Sequence, residues 1–170
     1  MRFKRNPIFW IAAIISLIFD HLTKFWVVQT FELTVPPETL PIVPDVFHFT
    51  YVVNTGAAFS LFSNGGVYWL RWLSLIVSLA LMAMAWFGPR GDRVEQLGYG
   101  LILGGALGNG IDRFIAGHVV DFLDFRLIRF PVFNLADVSI NLGIICLLIT
   151  IFRTPPPRPR SSEQNELKRS

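Results

Sequence analysis

The feature that most constrains this chain is a set of four long apolar segments. They run over Ile8–Val28, Trp69–Phe87, Leu97–Ile115 and Ala136–Phe152. A membrane-spanning helix needs about 20 mostly apolar residues. The sequence therefore predicts an α-helical integral membrane protein with four transmembrane helices.

The composition agrees with a lipid environment. Hydrophobic residues make up 52% of the 170 residues and charged residues only 16%, whereas soluble domains carry about 25% charged residues. This argues against a cytosolic enzyme or a DNA-binding module. The single cysteine, Cys146, excludes an intrachain disulfide and a multi-cysteine metal site. The three histidines fall in different segments, so we expect neither a metal site nor a cofactor.

The basic residues predict the orientation in the membrane. Residues 25–70 contain no Lys or Arg. Ten basic residues lie in the N-terminal arm, the loop between the second and third segments, and the C-terminal tail: Arg2, Lys4, Arg5, Arg90, Arg93, Arg153, Arg158, Arg160, Lys168 and Arg169. Because basic loops stay in the cytoplasm, both termini are predicted to be cytoplasmic and both long loops to face outside. This topology accounts for the net charge of +3, and we expect no nucleic-acid partner.

The chain divides into a membrane domain over residues 1–153 and a proline-rich polar tail over residues 154–170, which we expect to be a disordered cytoplasmic extension. No small-x-small cleavage site follows the first apolar run, so we interpret that run as an uncleaved helix. In the outer loops, the β-branched run Phe47–Val53 ends at Asn54-Thr55-Gly56, and Val119–Phe133 has a similar character. These runs predict a small extracytoplasmic sheet, or β-cradle.

The late part of the first segment and the third segment carry patterned polar or small residues. Asp20 and Lys24 are four apart and share a helix face, which predicts an ion pair or support for a neighbouring site. Gly100, Gly104 and Gly108 form a small-residue face for close helix packing.

Asn109, Asp112 and Arg113 follow on one face of the third segment, and we expect Asp112 to pair with the adjacent Arg113. Asp121 and Asp137 are predicted to lie at the same membrane level, and neither has a Lys or Arg within three residues. If held together they would share one proton, so that one carboxylate could activate water while the other polarises a carbonyl. The alternative is that they are solvated loop acids, as we expect for Asp124.

Five ordered motifs together resemble the bacterial lipoprotein signal peptidases (signal peptidase II), which are small four-helix aspartic peptidases. The motifs are Asp20-His21-Leu22-Thr23-Lys24, Asn54-Thr55-Gly56-Ala57-Ala58-Phe59-Ser60, Gly104-Gly105-Ala106-Leu107-Gly108-Asn109-Gly110-Ile111-Asp112-Arg113, Gly117-His118-Val119-Val120-Asp121-Phe122 and Phe133-Asn134-Leu135-Ala136-Asp137. One departure is His21, where many members have Gln.

The resemblance implies a catalytic pair, Asp121 and Asp137, with no cofactor. It also implies residues that line or brace the site: Asp20, Lys24, Asn54, Gly108, Asn109, Asp112, Arg113, Asn134 and Ala136. The implied substrate is a prolipoprotein whose cysteine carries diacylglycerol and is cut just before that cysteine. We expect a monomer in the bacterial plasma membrane, in contact with membrane lipid, with the site at the outer face. A proton-coupled transporter and a non-catalytic membrane scaffold are the alternative functions.

Overall fold

The computed structural model describes residues 6–56, 66–128 and 130–153, and the predicted tail 154–170 lies outside the described residues. Seven elements follow one another along the chain: α1 (Pro7–Thr30), β1 (Thr39–Val43), β2 (Phe47–Asn54), α2 (Gly66–Phe87), α3 (Arg93–Ile115), β3 (Val119–Phe125) and α4 (Leu135–Arg153). The four helices cover the four predicted apolar segments and extend each of them slightly.

Three of the described helices are long and apolar enough to cross a membrane, namely α1, α2 and α4. α3 has 23 residues, but its glycines and its polar C-terminal end make it less apolar than the other three. It packs against each of the other helices, so protein surrounds much of its surface. The chain is therefore predominantly helical and suited to a membrane, while the count of four spans remains a prediction.

The glycine face of α3 packs directly on α1, as predicted. A Cβ atom on Gly104 would lie 2.6 Å from the Cβ of Ser16, and one on Gly100 would lie 2.9 Å from the Cβ of Ala12. Only glycine permits this approach. The contact continues toward the C-terminal end of both helices, and we call it the α1–α3 seam; its pairs are Ala12–Gly100, Ser16–Gly104, Asp20–Gly108 and Lys24–Asp112.

A second glycine face of α3 packs on α4. A Cβ atom on Gly98 would lie 2.9 Å from the carbonyl oxygen of Gly143, and one on Gly143 would lie 2.6 Å from the carbonyl oxygen of Gly98. Gly105 meets the carbonyl oxygen of Ala136 in the same way. α3 is thus held tightly on two sides, and its polar end is fixed against both neighbours.

The three strands form one antiparallel sheet in the order β1-β2-β3. β2 and β3 confirm the two predicted strand runs, whereas β1 was not predicted. The sheet packs on the end of α1 through a buried apolar cluster: Val27, Phe31, Tyr51, Val120 and Phe122. The register shifts between Phe49 and Val52, where β2 carries one residue more than β3. Beyond this bulge Val52 pairs with Asp121, so that the sheet positions a carboxylate.

The prediction for Asp124 was wrong. This residue lies within β3 and is buried. Its Oδ2 accepts hydrogen bonds from Thr50 Oγ1 at 2.7 Å and from Arg126 Nε at 3.0 Å. Strand pairing brings Thr50 beside it, and local sequence does not reveal that partner. Asp124 therefore stabilises the sheet and is not a solvated loop acid.

Candidate active site

The first turn of α4 positions Asp137 through reciprocal hydrogen bonds with Asn134, the residue that precedes the helix. Asn134 Oδ1 accepts from the backbone N–H of Asp137 at 3.1 Å. Asp137 Oδ2 in turn accepts from the backbone N–H of Asn134 at 3.2 Å. This is the geometry of a capping box, with Asn and Asp in the two capping positions. The carboxylate also lies at the N-terminus of the helix, where the dipole is positive.

Asp121 lies on β3 between two side-chain amides and is only 3% exposed. Its Oδ1 accepts from Asn134 Nδ2 at 2.6 Å, and its Oδ2 accepts from Asn54 Nδ2 at 2.8 Å. Burial raises the pKa of Asp121 to about 6, and the negative charge of Asp137 acts in the same direction, against the lowering effect of the two amide hydrogen bonds. Asn134 therefore contacts both carboxylates, Asp121 through its side chain and Asp137 through its main chain.

Asn109 joins this pair to a buried lysine. Asn109 Nδ2 donates to Asp137 Oδ1 at 2.8 Å. Its Oδ1 accepts from Lys24 Nζ and from Asn134 Nδ2, each at 3.1 Å. Because the lysine ammonium can only donate, the orientation of the Asn109 amide is fixed. The hydrogen bonds thus run in one direction, from Lys24 through Asn109 to Asp137.

Lys24 is almost fully buried and holds two carboxylates. Its Nζ lies 2.7 Å from Asp20 Oδ2, which confirms the predicted ion pair, and 2.6 Å from Asp112 Oδ2. The predicted partner of Asp112 was wrong, because Lys24 arrives from another helix. Arg113 instead donates to the backbone carbonyls of Asn109 at 3.1 Å and Gly56 at 3.2 Å.

Asp20 connects the same cluster to α4. Its Oδ1 accepts from the backbone N–H of Ala136 at 2.9 Å, one of the amides that a helix start leaves without an intrahelical partner. A Cβ atom on Gly108 would collide with Asp20 Oδ2. Glycine at position 108 and the fully buried Ala136 therefore leave room for a carboxylate between three helices.

A cavity of about 490 Å³ opens beside the two carboxylates. Six of the predicted site residues line it: Asn54, Asn109, Arg113, Asp121, Asn134 and Asp137. Its remaining wall is largely apolar and comes from Val119 and residues 130–133. The other predicted residues, Asp20, Lys24, Gly108, Asp112 and Ala136, are absent from the lining and brace it from behind.

Asn141 also lines the cavity, although the sequence did not single it out. It lies one turn after Asp137, and its Nδ2 donates to the Asp137 carbonyl oxygen at 2.9 Å. The i, i+4 spacing from Asp137 was the signal that could have found it. His21 lies outside the cavity with its Nδ1 3.5 Å from Asp20 Oδ2. Within the described residues, no three His, Cys, Asp or Glu side chains form a group that could hold a metal ion.

The fold is shared with solved membrane enzymes. Two solved structures of bacterial membrane enzymes superpose with TM-scores of 0.75 and 0.74, at 28% and 29% identity. The first alignment covers 88% of this chain and 93% of the other, and the second covers 85% and 92%.

The family is narrower than this class. Residues 12–153 match the family described as signal peptidase (SPase) II, and the chain belongs to that family of peptidases. It is 66% identical over 164 residues to the lipoprotein signal peptidase of a Cyanothece species, covering 96% of this chain and 94% of the relative. It is 68% identical over 150 residues to that of Microcystis aeruginosa, covering 88% and 95%.

Proposed function

We propose that the chain removes the signal peptide from prolipoproteins whose cysteine carries diacylglycerol, and that it cuts the peptide bond just before that cysteine. The relatives that it matches over most of its length are lipoprotein signal peptidases. One observation carries the chemistry: two carboxylates, Asp121 and Asp137, line the same cavity and are both bound by Asn134.

The surroundings of the two carboxylates support different proton states. Asp137 is at a helix N-terminus, accepts a backbone N–H and is linked through Asn109 to the ammonium of Lys24. Each of these contacts brings an N–H donor or a positive charge toward the Asp137 carboxylate. Asp121 is more deeply buried and meets only neutral amides. We therefore assign the shared proton to Asp121 and the negative charge to Asp137.

The reaction follows from this assignment. A water between the carboxyl groups gives a proton to Asp137 and attacks the scissile carbonyl carbon, while Asp121 gives its proton to the carbonyl oxygen. The resulting tetrahedral diol collapses as Asp121 takes a proton back from one hydroxyl. Asp137 then protonates the departing nitrogen, the C–N bond breaks, and both carboxyl groups return to their starting states.

The topology extends the proposal to the membrane. All four helices would cross the bilayer, with α3 as the central one. Residues 1–153 would form a single domain, and the chain would be a monomer. The tail 154–170 and the N-terminus would both lie in the cytoplasm. Arg90 lies in the loop after α2 and Arg93 is the first residue of α3, whereas the connection between α1 and α2 has no basic residue. This asymmetry supports an outer location for the cavity. A lipidated peptide would then reach the carboxylates without leaving the lipid.

The test is cleavage of a diacylglyceryl prolipoprotein in micelles by Asp121→Asn and Asp137→Asn. Each neutral amide removes one proton carrier, so turnover should fall by about 100-fold to 10,000-fold or more while the protein stays folded. Asp124→Asn is the matched control, because it is a buried β3 carboxylate that does not line the cavity. Near-normal turnover in either site variant, or a null Asp124→Asn enzyme, would show that the wrong carboxylates were chosen.

A further inference from the structure

Asn141 is a polar residue on a stretch of α4 that is otherwise apolar. Between Ser139 and Thr150, every other residue of α4 is Ile, Leu, Gly or Cys. Asn141 is exposed, as are its neighbours Leu142 and Ile144, and the helix is long and apolar enough to cross a membrane. A polar group at such a position is costly in lipid unless it finds hydrogen-bond partners. The hydrogen bonds of Asn141 therefore bear on what occupies the cavity beside it.

Four side-chain amides line the described part of the cavity wall, and one of them is left with unused donors. Three donate to one of the two site carboxylates: Asn54, Asn109 and Asn134. Asn141 Nδ2 donates instead to the backbone carbonyl of Asp137 at 2.9 Å. Because a carbonyl only accepts, this contact fixes the amide orientation. The second N–H of Nδ2 and the Oδ1 atom form no hydrogen bond with the described residues, so they are available to a ligand.

Asn141 also lies deeper along α4 than the site carboxylates. Asp137 is in the first turn of the helix, and Asn141 follows four residues later, which is about 6 Å toward the apolar part of the helix. In the proposed substrate, the scissile bond precedes the cysteine, whereas the two ester carbonyls belong to the glyceryl group on the cysteine sulfur. These carbonyls are therefore several ångströms from the scissile bond, on the lipid side. A peptide bond held between the carboxylates brings them to the depth of Asn141.

We infer that Asn141 recognises the diacylglyceryl group by donating its free Nδ2 N–H to an ester carbonyl, an inference that rests on the function proposed above. An ester carbonyl only accepts, so Nδ2 is the atom that pairs with it. Val138 lies three residues before Asn141, on the same helix face, and lines the same cavity. It provides apolar wall for the glyceryl carbons. Asn141 is thus a specificity-determining residue that contacts the lipid part of the substrate and not the reacting bond.

The inference is tested with two synthetic substrates of the same peptide sequence, which the full chain cleaves in detergent micelles. One carries a cysteine with an ester-linked diacylglyceryl group. The other carries an ether-linked dialkylglyceryl group with chains of equal length, which lacks the two carbonyls. kcat/KM for the diester should exceed that for the diether by about 3-fold to 10-fold, the effect of one hydrogen bond between neutral groups.

Variants assign this preference to the contact. Asn141→Leu removes the donor at similar size, so the diester preference should disappear, through a higher KM for the diester with kcat nearly unchanged. Asn141→Gln keeps an amide donor and should retain the preference. Ser139→Ala is the matched control, because Ser139 Oγ also donates to the backbone carbonyl four residues earlier, that of Leu135 at 2.8 Å, but does not line the cavity. It should behave as the unmodified chain does.

Three outcomes would overturn the inference and leave the proposed function intact. Equal kcat/KM for the two substrates in the unmodified chain would mean that no ester carbonyl is recognised. An equal loss on both substrates in Asn141→Leu would mean that Asn141 contacts the peptide or positions Asp137. An unchanged diester preference in that variant would mean that the carbonyls bind elsewhere. Failure of the unmodified chain to cleave either substrate would overturn the proposed function, and this inference with it.

Discussion

The two halves of the α1–α3 seam use the same spacing for different purposes. In the first half, Ala12 and Ser16 meet Gly100 and Gly104 in plain van der Waals contact. In the second half the same four-residue step presents Asp20 to Gly108, and then Lys24 to Asp112. Close packing is therefore continuous along the seam, while charge is confined to the end that borders the candidate active site.

The difference between the two halves shows how the buried charges between α1 and α3 are stabilised. Lys24 has three donors, and they serve Asp20, Asp112 and Asn109. Asp20 also receives the backbone N–H of Ala136. A buried charge is expensive unless such contacts replace its water. The glycines of the first half bring the helices close, and that closeness lets these short side chains reach each other in the second half.

Replacing Lys24 should destabilise the second half of the seam, and this change should have the largest effect on stability. Lys24→Met leaves two carboxylates facing each other without a cation, so the free energy of unfolding should fall by about 3–5 kcal/mol. Denaturant unfolding in micelles measures this loss. Ser16→Ala, in the first half, is the control and should change stability by less than 1 kcal/mol. Equal losses in the two variants would mean that the ion cluster contributes nothing beyond packing.

A matched pair of glycine variants separates packing from positioning. Gly104→Ala and Gly108→Ala each force a methyl group into the seam and should each cost about 1–3 kcal/mol of stability. Only Gly108→Ala displaces the Asp20 carboxylate that binds the start of α4. Turnover per folded molecule should therefore fall about tenfold in Gly108→Ala and stay near normal in Gly104→Ala. The expectation fails if the two variants lose turnover equally.

The pH dependence of turnover also distinguishes the candidate active site from the first half of the seam, with a smaller expected effect. The pKa of Asp121 is raised to about 6, so its proton is lost above that pH and turnover should fall there, approaching tenfold per pH unit. The same shift makes the contribution of Asp121 to stability greatest below pH 3.8 and progressively smaller as the pH rises through 6. Stopped assays from pH 5 to 8 measure the rate profile. Gly104→Ala should reproduce it, because no titratable group lies at its contact; a flat profile in the unmodified chain would contradict the proton assignment.

The sequence predicted what repeats along a helix. The apolar segments follow from the length of the apolar runs, and the glycine face and the Asp20–Lys24 pair follow from four-residue spacing. The structure confirms the packing of that face and the ion pair. The sequence alone could not predict the partner of Asp112, because Lys24 is 88 residues away and the adjacent Arg113 was the only local cation. Asp124 was misjudged for a similar reason, since its partner Thr50 is supplied by strand pairing.

The candidate site was predictable as a set of residues but not as a network. Five motifs indicated which side chains belong together, yet the direction of the Asn109 amide depends on a donor 85 residues away in the sequence. Asn109 is oriented by Lys24, and Asn134 by the backbone N–H of Asp137. The Asn-x-x-Asp spacing of the capping box was readable in the sequence; its contact with Asp121 required the β-bulge and the sheet register.

The constant spacing of the pairs in the α1–α3 seam restricts the insertions and deletions that the chain can accept during evolution. Each pair joins residues 88 positions apart, from Ala12 with Gly100 to Lys24 with Asp112. One residue inserted within either helix would turn everything beyond it by about 100° and move every later pair off its partner. Insertions and deletions are therefore excluded between positions 12 and 24 and between 100 and 112, whereas the short connection between α2 and α3, which holds no residue of the seam or of the candidate active site, is free to vary in length.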